Sequence, residues 1–173
     1  MGGGVLPPRN GSHTRGTRPD RRAIDLYAQA RDVFRASNIT RGEGMSLLSL
    51  GNCHRTLGQL DAAISHYRDS VAILERIDDQ WSVAWASYPL ALAYQQAGQL
   101  DQARRQHQRA LDLFRRFDDR RSEGLTLAAL GDTLDATGQP DEARRYRQEA
   151  LRILDPLGDP RADTVRRHLT EGV

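Results

Sequence analysis

The chain has no lysine: all 25 basic residues among its 173 are arginine. Lysine and arginine differ most where a planar fork must grip two acceptors, so the bias reads as composition, not as a function. A single cysteine, Cys53, excludes an internal disulfide and any cysteine cluster for zinc. Aromatic residues make up only 6% and apolar residues 38%, which suits small-residue helix packing better than a sheet-rich core. No apolar run approaches the ~20 residues needed to span a bilayer. The opening segment lacks the apolar stretch of a secretion signal, so the expected location is cytoplasmic. A net charge of +2 leaves no broad field to draw nucleic acid or a membrane surface. The basic excess sits in residues 1–40, where seven Arg meet three Asp.

Groupings that carry chemistry are also missing. The histidines, His13, His54, His66, His107 and His168, are scattered without a pair at metal-binding spacing. Cys53 and His54 are adjacent and would point about 100° apart on a helix, so they form no nucleophile–base pair. Cys53 reads as a small packing residue. Gly42-Glu43-Gly44 lacks the lysine of a phosphate loop and follows no strand. The pairs Arg104-Arg105 and Arg144-Arg145 read as solvated helix surface. No basic recognition helix is visible. The chain therefore reads as a non-enzyme without cofactor or metal, and no direct nucleic-acid or membrane binding is expected.

What is present is a repeat. Gly58, Gly98 and Gly138 lie 40 residues apart, as do Gln59, Gln99 and Gln139, and Asp61, Asp101 and Asp141. Ala23, Ala63, Ala103 and Ala143 form a column that reaches into the N-terminal region. Fixed-period self-similarity marks units that bury their apolar faces only by stacking.

Residues 1–19 are rich in Gly, Pro and Arg and are expected to form a disordered basic tail. A helical pattern starts at Asp20, with Ala23, Ile24, Tyr27, Ala30, Val33 and Phe34 at spacings of three and four. The next 40 residues give two helices. Leu47, Leu50, Gly51, His54 and Leu57 line the first, which Gly58 ends in a left-handed conformation. Ala63, Ile64, Tyr67, Val71, Leu74 and Ile77 line the second, with Asp61 in its first turn. Asp78 and Asp79 close the unit and cap the next helix. The plan recurs twice, giving a half repeat over 20–40 and full repeats over 41–80, 81–120 and 121–160. Asp159-Pro160 then starts a capping helix within 161–173. The small residues Gly51, Ala91 and Gly131 are expected opposite the alanine column, allowing approach near the short end of the usual range, about 8–10 Å.

These residues resemble the tetratricopeptide repeat (TPR). The family's Leu-Gly pair stands at Leu50-Gly51 and Leu130-Gly131, with Leu90-Ala91 between them. One family aromatic falls on Tyr94, and another on Tyr27 and Tyr67, while His107 and Arg147 depart from it. The usual repeat has about 34 residues, so the second helices here are long. The resemblance implies an all-α, right-handed α-solenoid of antiparallel pairs, about eight helices in 20–173. Long-helix arrays of this kind resemble the C-terminal TPR arrays of bacterial regulators of the SARP and NTPase types.

In such a stack the first helix of each pair lines the concave face. The implied groove is then Met45, Leu48, Asn52 and Arg55; Trp85, Tyr88, Leu92 and Gln95; Leu125, Ala128, Asp132 and Asp135. It has an aromatic centre, a mildly basic end and an acidic end. Asn52 falls where relatives hydrogen-bond a ligand backbone. Trp85 and Tyr88 read either as partner anchors or as packing residues. Relatives that clamp chaperone tails place basic residues at Leu48, Tyr88 and Ala128; only Arg55 is basic nearby, which disfavours that ligand class. Pro89 inside its helix implies either a kink or a tolerated irregularity.

The implied function is an adaptor that binds a peptide or partner surface in the groove. The alternative is a sensory or coupling domain truncated from a multidomain transcription regulator, since the array opens on an unpaired second-type helix. That helix leaves Tyr27 and Phe34 as an N-terminal docking edge, through which self-association or partner docking is expected.

Overall fold

Every described turn in this chain closes on a residue in the left-handed region, and these residues are twenty apart. They are Asn38, Gly58, Asp78, Gly98, Asp118, Gly138 and Gly158, with φ between 54° and 75°. The computed structural model describes residues 21–171; the expected tail over 1–19 lies outside the described residues. Eight helices occupy them: α1 Arg21–Ala36, α2 Thr40–Thr56, α3 Leu60–Arg76, α4 Gln80–Gln96, α5 Leu100–Arg116, α6 Arg120–Ala136, α7 Pro140–Leu154 and α8 Arg161–Glu171. Each packs on its neighbours in the chain. In addition α2 touches α4, and α4 touches α6, so the first helices of successive pairs lie side by side. This is an all-helical solenoid.

The turns repeat one hydrogen-bond scheme. At Gly98 the glycine N–H donates to the Gln95 carbonyl at 3.1 Å, and the Gln99 N–H reaches back to the Tyr94 carbonyl at 2.9 Å. Asp78 does the same, its N–H donating to the Glu75 carbonyl at 2.9 Å and that of Asp79 to the Leu74 carbonyl at 3.1 Å. Orphan carbonyls at each helix end are thereby satisfied. Glycine adopts positive φ without strain, and Asn and Asp tolerate it better than other side chains. Asp78 and Asp79 thus divide the work expected of both: Asp78 turns the chain, and Asp79 caps α4. The Asp79 carboxylate accepts from the Ser82 N–H at 3.1 Å and from the Ser82 hydroxyl at 2.7 Å. Asp119 caps α6 through the Ser122 N–H at 3.0 Å.

The alanine column is fully buried at Ala63, Ala103 and Ala143. Its opposite column works differently from the expected small-on-small contact. A Cβ at Gly51 would stand 2.5 Å from the Tyr67 ring, so the glycine makes room for the tyrosine. A Cβ at Gly131 would meet Arg147 Cγ at 2.9 Å and the Ala143 carbonyl oxygen at 3.2 Å. In the middle unit the same two repeat positions hold Ala91 and His107, both buried. α4 runs unbroken through Pro89.

The middle unit carries an unusual core residue. His107 is fully buried, and neither ring nitrogen has a hydrogen-bond partner. Its ring lies beside Tyr88, centroids 5.9 Å apart. Burial lowers its pKa from 6.5 to about 3.

Two predictions follow from this packing. Ala103→Trp overpacks a site with no free surface and should cost about 1–3 kcal/mol or more; an unmoved urea midpoint would place Ala103 away from the helix contact. The second concerns pH. His107 binds a proton in the unfolded chain near pH 6.5 but resists it in the fold until about 3. Its contribution to stability is therefore complete above the unfolded pKa and is lost as pH falls from 6.5 toward 3. His66, also lowered by burial and next by His54, acts in the same direction. His107→Leu should flatten the fall in urea midpoint between about pH 7 and about pH 5. An equal fall in both proteins would show that His107 is not the titrating group.

Candidate partner-binding groove

The stripe on α4 explains how an aromatic centre is built. Trp81, Trp85 and Tyr88 stand at spacings of four and three, hence on one helix face. Trp81 and Trp85 are 39% and 43% exposed, and Met45 on the neighbouring α2 is 39% exposed. The rings are held by edge-to-face contacts. Trp81 meets Trp85 at 6.2 Å and Phe117 at 5.3 Å, and Trp85 rests on the buried Phe114 at 5.7 Å. Such pairs contribute about 0.5–1.5 kcal/mol beyond area burial and fix ring orientation. Trp81 was not among the expected groove residues; its position one turn before Trp85 was the available signal.

The other expected residues separate by depth. Asn52 and Asp135 are exposed, whereas Arg55, Tyr88, Leu92, Gln95, Leu125 and Asp132 are half-buried. Leu48 is a correction: it is 8% exposed and belongs to the core with Ile64 and Tyr67, so it presents almost nothing to a ligand. Ala128 is likewise buried.

The polar groups of the stripe are tied from behind by the second helices. The Tyr67 hydroxyl donates to Asn52 Oδ1 at 2.7 Å, which leaves the Asn52 amide N–H free to donate. In the third unit Arg147 takes the tyrosine's place. Its guanidinium, 8% exposed, donates to Asp132 at 2.9 Å and also pairs with Asp135. His168 of α8 lies 3.2 Å from the same Asp132 oxygen. One guanidinium thus serves both carboxylates, which reduces the expected acidic end without cancelling it. In the middle unit the repeat position of Asn52 and Asp132 is the apolar Leu92, and the His107 imidazole goes unbonded.

Along the start of the first helices runs a second row: Arg41, Trp81, Arg121 and Arg161. Arg41 bridges to Asp79 at 2.8 Å, and Arg121 to Asp159 at 2.8 Å, so each ties its helix to the cap of the next first-type helix. Asp159 also accepts from the Arg161 N–H at 2.9 Å, and this bond leads in lowering its pKa. Trp81 replaces the arginine in the middle. At Tyr88, burial pushes the hydroxyl pKa up; Arg161 and Arg55 oppose that, while Asp132 and Asp159 add to it.

Elsewhere a crevice of about 500 Å³ lies between α3 and α5, floored by Ile64, Leu90 and Tyr94 and rimmed by Asp61, Asp69 and Arg68. None of the groove residues lines it. Cys53 is buried, and burial raises its pKa, which keeps the thiol protonated. Among the described residues there is no group of three potential metal ligands, and no helix is long and apolar enough to cross a membrane.

At the α1 edge, Tyr27 is 41% exposed, but Phe34 is not left open. Its ring covers Gly42 on α2, where a Cβ would stand 2.6 Å away. Leu26 and Val33 are the exposed apolar residues of this helix beside Tyr27.

This geometry has counterparts among solved structures. The kinesin light chain repeat protein of Podosopora anserina, with nearly identical TPR-like repeats, superposes with a TM-score of 0.72 at 19% identity, over 87% of this chain and 76% of that one. The apo form of RapI gives 0.77 at 11% identity, over 86% of this chain and 42% of that one. BtubC of P. vanneervenii gives 0.69 at 17% identity, over 84% and 62%. At such identities the likeness concerns the fold alone. No curated protein matches the sequence. The tetratricopeptide repeat family model matches residues 21–76 and 82–155, and the chain belongs to that family.

Proposed function

We propose that the protein is an adaptor, acting in the cytoplasm, whose concave face holds a peptide or partner surface across Met45, Trp81, Trp85 and Tyr88. The fold supports a protein-interaction scaffold role, and its family is generally non-enzymatic. The observation that carries the reading is the pair of tryptophans, each near two-fifths exposed yet held by edge-to-face contacts. Large aromatic area with fixed orientation is the usual chemistry of an interface anchor. Asn52, with its amide N–H free, supports hydrogen bonding to an extended backbone. A coupling element within a larger regulator would use the same face.

A second contact is proposed at the α1 edge, through Leu26, Tyr27 and Val33. α1 buries none of its residues fully, and contiguous exposed apolar area marks interaction sites. Self-association there would be separate from the groove.

Trp81→Ala with Trp85→Ala should abolish partner capture from native-cell lysate, a loss of about 2 kcal/mol or more, while helical content by circular dichroism is kept. Retention of the same partners would place binding off the concave face. For the edge, replacing Leu26, Tyr27 and Val33 with polar residues should remove any dimer seen by analytical ultracentrifugation. A wild-type chain that stays monomeric at high concentration would remove self-association.

A further inference from the structure

Resting on the contact proposed above at the α1 edge, we infer that this edge takes a helix of another polypeptide, one with two small residues seven apart and a side-chain oxygen directly after the second. α1 is a second-type helix, and among the described residues no first-type helix precedes it. Each apolar residue exposed on α1 has a counterpart 40 positions on, in α3, and there α2 covers it. Leu26 stands at the place of His66, whose ring stacks on His54 of α2 with centroids 5.1 Å apart. Val33 stands at the place of Ile73, whose Cγ2 would lie 3.5 Å from a Cβ at Gly44. Tyr27 stands at the place of Tyr67, whose ring covers Gly51 and whose hydroxyl donates to Asn52. Tyr67 is 0% exposed and Tyr27 is 41% exposed. The surface left open on α1 is the surface that a helix like α2 covers one repeat later.

The repeats also define what such a helix carries. Gly44 and Gly51 are seven apart, as are Gly124 and Gly131, and in the middle unit the buried Ala84 and Ala91 hold the same places. Seven residues make about two helical turns, so both small residues face one partner helix. The first makes room for Leu74 or Leu154, 2.9 and 2.8 Å from where a Cβ would stand, and the second for Tyr67 or Arg147. The residue that follows, Asn52 or Asp132, bonds the side chain seated there. α1 has the matching pair in Tyr27 and Phe34. The chain's own helices do not supply the partner. α2, α4 and α6 are each packed between helices of their own array. α8 carries Thr164, Arg167 and Thr170 where α2 carries the buried Gly44, Leu47 and Leu50. Arg167 and Thr170 are exposed and polar, so copies stacked end to end through α8 would bring no apolar face to Tyr27 and Val33.

The full chain is titrated with a labelled synthetic copy of its own α2, residues 39–58, carrying Cys53→Ser. A helix this short is marginal in water, so a hydrocarbon staple joins positions 45 and 49, off the glycine face. This copy should bind, and one with Gly51→Leu should bind at least about tenfold more weakly, because the new side chain takes the place of the tyrosine ring. Tyr27→Ala in the chain, at an exposed position, should weaken the glycine copy by at least about tenfold while helical content is kept. Equal binding of the two copies, or binding that Tyr27→Ala leaves unchanged, overturns a small-residue helix as the occupant but leaves the edge reading standing. If neither copy binds and the chain dimerises in analytical ultracentrifugation, the occupant is a second copy, which overturns this inference and keeps the edge reading. No binding and no dimer overturns both.

Discussion

The left-handed residue every twenty positions is the constraint on which the molecule depends. Each such residue stops its helix, and from α2 to α6 this leaves helices of equal length. Equal helices keep their faces in register, so a residue type that recurs every 40 positions recurs at the same point in space. Without that register, the alanine column and the aromatic stripe would be scattered around the helices. Between the helices of one repeat the turn uses glycine; between repeats it uses Asn38, Asp78 and Asp118. The second choice accepts some strain, since only glycine is free of a Cβ penalty there. Asp79 and Asp119, one residue later, cap the helix that follows.

Register also lets the packing chemistry change from unit to unit while the backbone does not. Tyr67 sits over Gly51 and bonds Asn52; Arg147 sits over Gly131 and bonds Asp132; His107, at the same position of the middle unit, lies beside Tyr88 and makes no hydrogen bond. The larger side chains have glycine beneath them, and the unit with the smaller imidazole has Ala91 at that position of the repeat. Polar ends have polar partners in the outer units only. A buried guanidinium is tolerable where carboxylates meet it, and Arg147 has two. That pairing weakens the acidic end the sequence implied, because one guanidinium offsets one of the two carboxylate charges.

The period, the eight helices and the exposed tryptophan at position 85 were legible because they rest on local rules: glycine at helix ends, apolar residues at spacings of three and four. Contacts between residues fifteen apart were not. Nothing in the tyrosine column announces that Arg147 will neutralise Asp132, since that depends on how two helices face each other. Leu48 was misplaced for a related reason. Its step along the helix suits the groove, but the packing of neighbouring helices buries it in one cluster with Ile64 and Tyr67. Phe34 swung toward Gly42 because a glycine on α2 left space for a ring, a fact visible only once both helices were placed.

The outer repeats share Arg-x-Glu-Gly at Arg41 to Gly44 and Arg121 to Gly124, whereas the middle one has Trp81, Val83 and Ala84 at the same points. Where the outer units tie one first-type helix to the next with an ion pair, the middle unit places a tryptophan against Phe117. The substitution exchanges a directional link for half-exposed apolar surface in the middle unit. Local rules that a repeat obeys elsewhere tend to be broken where a site is needed. Here the same unit also holds the unbonded His107 and the helical Pro89. Departures from the repeat gather behind and beside Tyr88, where the ion pairs of the outer units give way to ring contacts.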